Sequence, residues 1–125
     1  MEILGVGIAG GIGAISRYLI TIWISNKIEG SFPWGTFIIN ISGAFLLGLI
    51  STVSFPLLHI PSAYKTVITI GLIGAYTTFS TFSFESFNLI SEGSFLEAFL
   101  NLFLSPFLGI LTALLGIEIA KALFR

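Results

Sequence analysis

The sequence predicts an all-α integral membrane protein with four transmembrane helices. Of its 125 residues, 55% are hydrophobic and only 9% are charged, whereas a soluble domain carries about 25% charged residues. The mean hydropathy is +1.06. The charged side chains lie mostly between long apolar stretches, and a helix needs about 20 apolar residues to cross a hydrocarbon core of about 30 Å. Composition and spacing together favour a single membrane domain, residues 1–125.

The first two spans are predicted at about residues 3–24 and 34–55. The first contains Arg17, and we expect it to stay in the protein because it lacks the basic leader and cleavage site of a signal peptide. A polar loop at 25–32 separates the two spans. His59 lies in the proline-bounded turn after the second span, and without a second ligand it does not indicate a metal site.

The third and fourth spans are predicted at about residues 63–90 and 95–123. A short polar Ser-Glu-Gly-Ser sequence separates them. The fourth is long enough to tilt or to project beyond the bilayer.

The basic residues indicate how the chain is oriented in the membrane. With four spans, the termini and the loop before the third span lie on one side, which holds Lys65, Lys121 and Arg125. The other side holds Lys27 and, if its side chain extends outward, Arg17. Such an even division gives almost no bias under the positive-inside rule. We therefore expect insertion in both orientations and an antiparallel, dual-topology homodimer.

The third span contains the most unusual stretch of the sequence. Five of the ten residues at 74–83 are Ser or Thr. One or two such hydroxyls can donate to the carbonyl one helical turn earlier, but five are more than this explains. Together with Gly71 and Gly74, they predict a local break in the helix. Backbone outside the helical ladder must be buried in protein or line a wet cavity, and its carbonyls can ligate a hard cation. Because the stretch holds no carboxylate, Na+ held by carbonyl oxygens alone is reasonable there.

Several residues near this break could face an anion. Asn40 either holds two spans together or donates an amide N–H to a permeating anion. If the helix resumes after the break, Phe79, Phe82 and Ser83 share one face. The two rings either pack against neighbours or turn their positive edges toward a small anion, which would bind it weakly enough for conduction.

Four more polar side chains lie inside the spans. Arg17 is either a structural anchor or part of an electropositive vestibule, and Glu85 is either a capped or solvated helix end or part of a pore mouth. Asn101 and Ser105, one turn apart, either line a path or bond to a neighbouring helix. The sequence offers no Ser-His-Asp set, phosphate-binding loop or pair of acids in a pocket, so we expect no catalysis.

Three motifs, at residues 11–18, 35–43 and 71–85, together closely resemble those of the CrcB/Fluc family of fluoride channels. The first includes Arg17 and the third ends at Glu85; the Thr-Thr-Phe-Ser-Thr-Phe-Ser run is the most specific part. The resemblance covers all four spans in order. It implies a dual-topology homodimer in the cell membrane, with two antiparallel pathways for the passive export of cytoplasmic fluoride and hence fluoride resistance.

The same resemblance implies roles for individual residues. The backbone carbonyls of Gly74 and Thr77 from each subunit would enclose a structural Na+ that is not transported. Phe79 and Phe82 would form an aromatic box, and Asn40 would cap the anion path.

In the fourth span, the family has a polar track at four-residue steps. Its first two positions are Asn101 and Ser105 here, which with Ser83 would line the fluoride pathway. The next step is Gly109, so the sequence departs from the family pattern at that point.

Two other functions fit four apolar spans. A small multidrug transporter couples to protons through a carboxylate deep in the first span, where this chain has only Glu2 at the edge and a basic Arg17. A non-transporting membrane assembly subunit would explain the small residues but not the hydroxyl-rich break. A net charge of −1 argues against nucleic acid as a partner. The predicted partners are therefore fluoride, a second copy of the chain and the lipid bilayer.

Overall fold

The computed structural model describes residues 2–53 and 60–124, and it confirms four long apolar helices with a break in the third. Helix α1 is Glu2–Ser25 and helix α2 is Trp34–Thr52. The predicted end of the second span and the turn with His59 fall at 54–59, outside the described residues.

The third span consists of two helices joined by extended residues. Helix α3 has three contiguous parts: α-helical Ser62–Thr66, π-helical Val67–Ile73 and α-helical Gly74–Tyr76. Thr77 (φ −82°, ψ 160°) and Thr78 (φ −150°, ψ 121°) are extended and interrupt the helical hydrogen bonds. Helix α4, Phe79–Ser91, completes the span. Glycine and hydroxyl residues thus mark the position of the break correctly.

The fourth span is one continuous helix, α5, Phe95–Leu123, with Pro106 inside it. The turn before it contains Gly93, whose φ of 78° lies in the left-handed region that favours glycine. The chain therefore reverses direction sharply between α4 and α5.

Glycines bring the helix backbones close together at two interfaces. At Gly116 of α5, a Cβ would collide with the Phe45 carbonyl oxygen of α2 and would lie 2.8 Å from the Leu49 nitrogen. At Gly13 of α1, a Cβ would collide with the Leu72 carbonyl oxygen of α3. The principal helix contacts are accordingly α2 with α5 and α1 with α3. Small residues permit such close packing between membrane helices.

Large apolar side chains cover the outside of this bundle. Phe95, Phe99 and Phe103 of α5 follow one another at four-residue steps and are 67%, 57% and 62% exposed. A soluble monomer rarely exposes so large an apolar surface. The exposed stripe fits a helix face in contact with lipid.

Candidate functional site

Asn40 on α2 holds the extended residues of the break with two hydrogen bonds. Its Nδ2 donates to the Thr78 carbonyl oxygen at 3.0 Å, and its Oδ1 accepts from the Thr78 backbone N–H at 2.8 Å. Backbone groups at membrane depth need such partners because lipid cannot hydrogen-bond to them. Asn40 thus joins two spans, the first of the two alternatives for this residue. The second N–H of the Asn40 amide has no acceptor among the described residues, so it is available to a ligand.

The break releases the backbone carbonyls of Gly74 and Thr77 from their helical partners. In a continuous helix they would accept from the N–H groups of Thr78 and Thr81. The Thr78 N–H donates to Asn40 Oδ1 on α2 instead. The Thr81 N–H donates to Thr78 Oγ1 at 3.3 Å. The Thr77 carbonyl accepts from Arg17 Nη1 at 3.3 Å. Carbonyls released at a broken membrane helix fit the donor chemistry that Na+ requires.

A cavity of about 340 Å³ opens beside the break. Asn40, Phe79, Phe82 and Ser105 are among its lining residues. The two ring centroids are 5.9 Å apart with an interplanar angle of 39°, and Phe79 is 79% exposed. Ser83 Oγ donates back to the Phe79 carbonyl at 3.0 Å on the exposed side of α4. The amide of Asn40, the two rings and the Ser105 hydroxyl therefore share one cavity, whereas Ser83 and Asn101 are not among its lining residues.

Asn101 lies in a buried chain of hydrogen bonds between α5 and α4. Ser105 Oγ donates to Asn101 Oδ1 at 2.9 Å, and Asn101 Nδ2 donates to Ser86 Oγ at 2.9 Å. Ser86 Oγ then donates to the Phe82 carbonyl at 2.8 Å. Asn101 is fully buried, with 0% exposure. Asn101 was expected either to line a path or to bond to a neighbouring helix, and in the structure its amide bonds to Ser86 on the neighbouring helix α4.

Two charged residues that lie deeper in the spans, Arg17 and Glu85, are near Thr36 of α2. Glu85 Oε1 accepts from Thr36 Oγ1 at 2.9 Å, whereas its buried Oε2 has no hydrogen-bond partner among the described residues. A second cavity, of about 310 Å³, is lined by Arg17, Thr36, Thr78 and Thr81, among others. A guanidinium surrounded by hydroxyls makes this cavity attractive to anions. The bond from Arg17 to the backbone of the break matches the structural alternative for this residue, and a role in an electropositive vestibule stays a prediction.

Sequence reasoning did not single out Thr36, Ser42 or Tyr76 as site residues. Thr36 binds the carboxylate described above, and Ser42 Oγ lies 2.9 Å from the Tyr76 hydroxyl oxygen. For Thr36 a signal was available, because Thr36, Asn40 and Gly43 recur at i, i+4 and i+7 and so share one face of α2. Tyr76 offers no such signal, since its partner is 34 residues away.

Comparison with known proteins identifies the family. The model of the family described as "CrcB-like protein, Camphor Resistance (CrcB)" matches residues 4–117. The chain belongs to this family. Three similar relatives all carry the name "Fluoride-specific ion channel FluC". That of Magnetococcus marinus is 39% identical over 121 residues, which cover 97% of this chain and 98% of the relative. That of Shewanella baltica is 44% identical over 115 residues, which cover 92% of this chain and 92% of the relative. That of Geobacter metallireducens is 37% identical over 123 residues, which cover 98% of this chain and 99% of the relative.

Family membership confirms the resemblance seen in the sequence motifs. Together with the four spanning helices, it makes this CrcB-like chain a multi-pass protein of the cell membrane. Since the relatives are named as ion channels, the chain is not an enzyme.

Proposed function

We propose that the chain forms a fluoride-selective channel through which cytoplasmic fluoride leaves the cell down its gradient, conferring fluoride resistance. The observation that carries the proposal is the cavity of about 340 Å³ in which Phe79 and Phe82 lie beside Asn40 and Ser105. Fluoride is small and strongly hydrated, so a narrow path must replace its water with N–H donors, O–H donors and positive ring edges. Such groups bind an anion weakly enough to release it. The names of the relatives support fluoride as the ion.

We further propose that two copies pair in opposite orientations around a structural Na+. Gly74 is exposed in the single chain, and its carbonyl has lost its helical donor to Asn40. A second copy related by a two-fold axis would bring a second pair of released carbonyls to the same place. The carbonyls of Gly74 and Thr77 would hold the ion, whose charge would stabilise their converging dipoles. The same contact would cover Phe79, which is 79% exposed.

Fluoride efflux from proteoliposomes, followed with a fluoride-selective electrode, tests the pathway. Phe79→Ile and Phe82→Ile should reduce efflux to the rate of protein-free liposomes, because the aliphatic side chain has no ring edge. Phe87→Ile is the matched control, since Phe87 lies on the same helix and is 64% exposed; it should retain efflux. Gel filtration checks that all three variants keep the oligomeric state of the wild type. Wild-type efflux in both pathway variants would refute the assignment.

Two further measurements test the pairing and the ion. Replacing all Na+ by a large organic cation should lower both efflux and dimer stability, and an unchanged dimer with unchanged efflux would exclude the structural ion. A topology reporter fused to the C terminus should appear on both sides of the membrane. A reporter found on one side only would exclude dual topology.

A further inference from the structure

We propose that the hydroxyl pair formed by Ser42 on α2 and Tyr76 at the end of α3 positions the Thr77 carbonyl and thereby sets the affinity for the structural Na+. This inference rests on the proposed function, because it concerns the cation that the proposed channel holds. Ser42 Oγ and the Tyr76 hydroxyl oxygen are 2.9 Å apart. Both are positioning residues, acting through the backbone of the break rather than touching the ion.

The direction of this hydrogen bond follows from a count of protons. Ser42 has a single O–H, and it donates to the Ile39 carbonyl at 3.1 Å. The Tyr76 O–H is therefore the donor to Ser42 Oγ. The ring of Tyr76 also lies against Gly43, where a Cβ would be only 3.2 Å from Cδ1. Tyr76 is thus held against α2 by both its ring and its hydroxyl.

Asn40 holds the other side of the same peptide unit. The Thr77 carbonyl and the Thr78 N–H belong to one planar trans peptide group, so they point in opposite directions. Because the Thr78 N–H points to Asn40 Oδ1 on α2, the Thr77 carbonyl points away from that amide, toward Arg17 Nη1. Asn40 therefore holds the C-terminal side of this peptide. On its N-terminal side, the Thr77 N–H and Oγ1 both donate to the Ile73 carbonyl, and Tyr76 is held against α2 one residue earlier. Without its bond to Ser42, the Tyr76 ring could leave α2 and shift Thr77, so that the Thr77 carbonyl would move although Asn40 and Arg17 still bond to this peptide.

The hydroxyl pair predicts different effects for its two partners. Ser42→Ala leaves a Tyr O–H donor without an acceptor at membrane depth, which is costly. Tyr76→Phe removes that donor, and Ser42 still keeps its own bond to Ile39. In the Na+-free protein the unpaired Tyr76 hydroxyl can turn to another acceptor, and Na+ binding must then return the ring to its place. Because the cost falls on the Na+-bound state, the Na+ concentration for half-maximal effect should rise about tenfold in Ser42→Ala and about threefold in Tyr76→Phe. The double variant should resemble Tyr76→Phe, since no donor is then left unsatisfied.

The experiment measures how Na+ raises the unfolding temperature of the full-length protein in detergent, with fluoride efflux from liposomes as a second readout. Ser42→Thr keeps the hydroxyl and should restore the wild-type Na+ midpoint. Tyr64→Phe and Ser91→Ala are matched controls at exposed positions, and both should leave the midpoint unchanged. A merely structural role for the pair would lower the unfolding temperature equally at every Na+ concentration, with no change in midpoint.

The outcomes separate this inference from the proposed function. Fluoride efflux in the wild type together with equal Na+ midpoints in the wild type, Ser42→Ala and Tyr76→Phe would overturn the inference alone. A wild type that passes fluoride but is not stabilised by Na+ would overturn the inference and the structural ion together. A wild type without fluoride efflux would refute the proposed channel.

Discussion

Replacing Gly13 by alanine tests whether close packing of α1 on α3 supports the break. The added Cβ would collide with the Leu72 carbonyl oxygen, and it would lie 3.1 Å from the Tyr76 nitrogen. Both are backbone atoms, so no side chain can rotate away and the two helices must separate. Leu72 and Tyr76 flank Gly74, whose carbonyl is released by the break. Gly13→Ala should therefore disturb both stability and efflux.

The magnitude follows from two opposing contributions. Alanine is favoured over glycine in a helix interior by about 1 kcal/mol, while overpacking a close contact costs about 1–3 kcal/mol. Gly11→Ala on the same helix is the matched control, because its Cβ would have no atom within 4 Å. The helix propensity gain is shared by both variants and cancels. Gly13→Ala should thus be less stable than Gly11→Ala by about 1–3 kcal/mol.

Thermal unfolding in detergent ranks the two variants, and electrode-detected efflux compares their activity. The expected order of unfolding temperature is Gly11→Ala, equal to or above the wild type, followed by Gly13→Ala. A Gly13→Ala protein as stable and as active as Gly11→Ala would refute the close contact between α1 and α3.

Three other variants test individual contacts. Asn101→Ala should destabilise the protein by about 1–3 kcal/mol, because it leaves the buried Ser105 hydroxyl without the acceptor described for it, whereas Asn26→Ala in an exposed turn should change stability by less than about 0.5 kcal/mol; equal unfolding temperatures would exclude the buried chain. Thr36→Val should lower the unfolding temperature and reduce efflux, because Glu85 then loses the one hydrogen bond described for its carboxylate; unchanged values would show that this contact is dispensable. Lys121→Ala should cost less than about 1 kcal/mol, because its ion pair with Glu118 in the preceding turn is exposed; a larger loss in 0.5 M salt, roughly three times the physiological ionic strength, would contradict a surface role.

Hydropathy was sufficient to predict the four spans because lipid forces the backbone to satisfy its own hydrogen bonds over a fixed length. The break was also predictable, since five hydroxyl residues within ten positions and nearby glycines are poorly suited to an uninterrupted helix. The π-helical segment at Val67–Ile73 was not predictable, because its apolar sequence resembles that of any membrane helix.

The roles of the polar side chains depended on partners far away in the sequence. Asn40 could have been a tie between helices or an anion donor, and its two bonds to Thr78, 38 residues away, show the tie. Asn101 matched a polar track by spacing, but its amide is buried against Ser86 on the neighbouring helix. A single sequence lists hydrogen-bonding groups without specifying which ones meet.

The sequence by itself thus determined that the chain crosses the membrane four times, where the third crossing breaks, and which family it resembles. These properties depend on local composition and on the length of apolar stretches. The tertiary structure alone decided that the Thr78 N–H bonds to Asn40, that the Thr77 carbonyl bonds to Arg17, and that the Tyr76 hydroxyl meets Ser42. The physical reason is that hydrogen bonds act over about 3 Å, and only the packing of α1, α2 and α3 brings these groups within that distance.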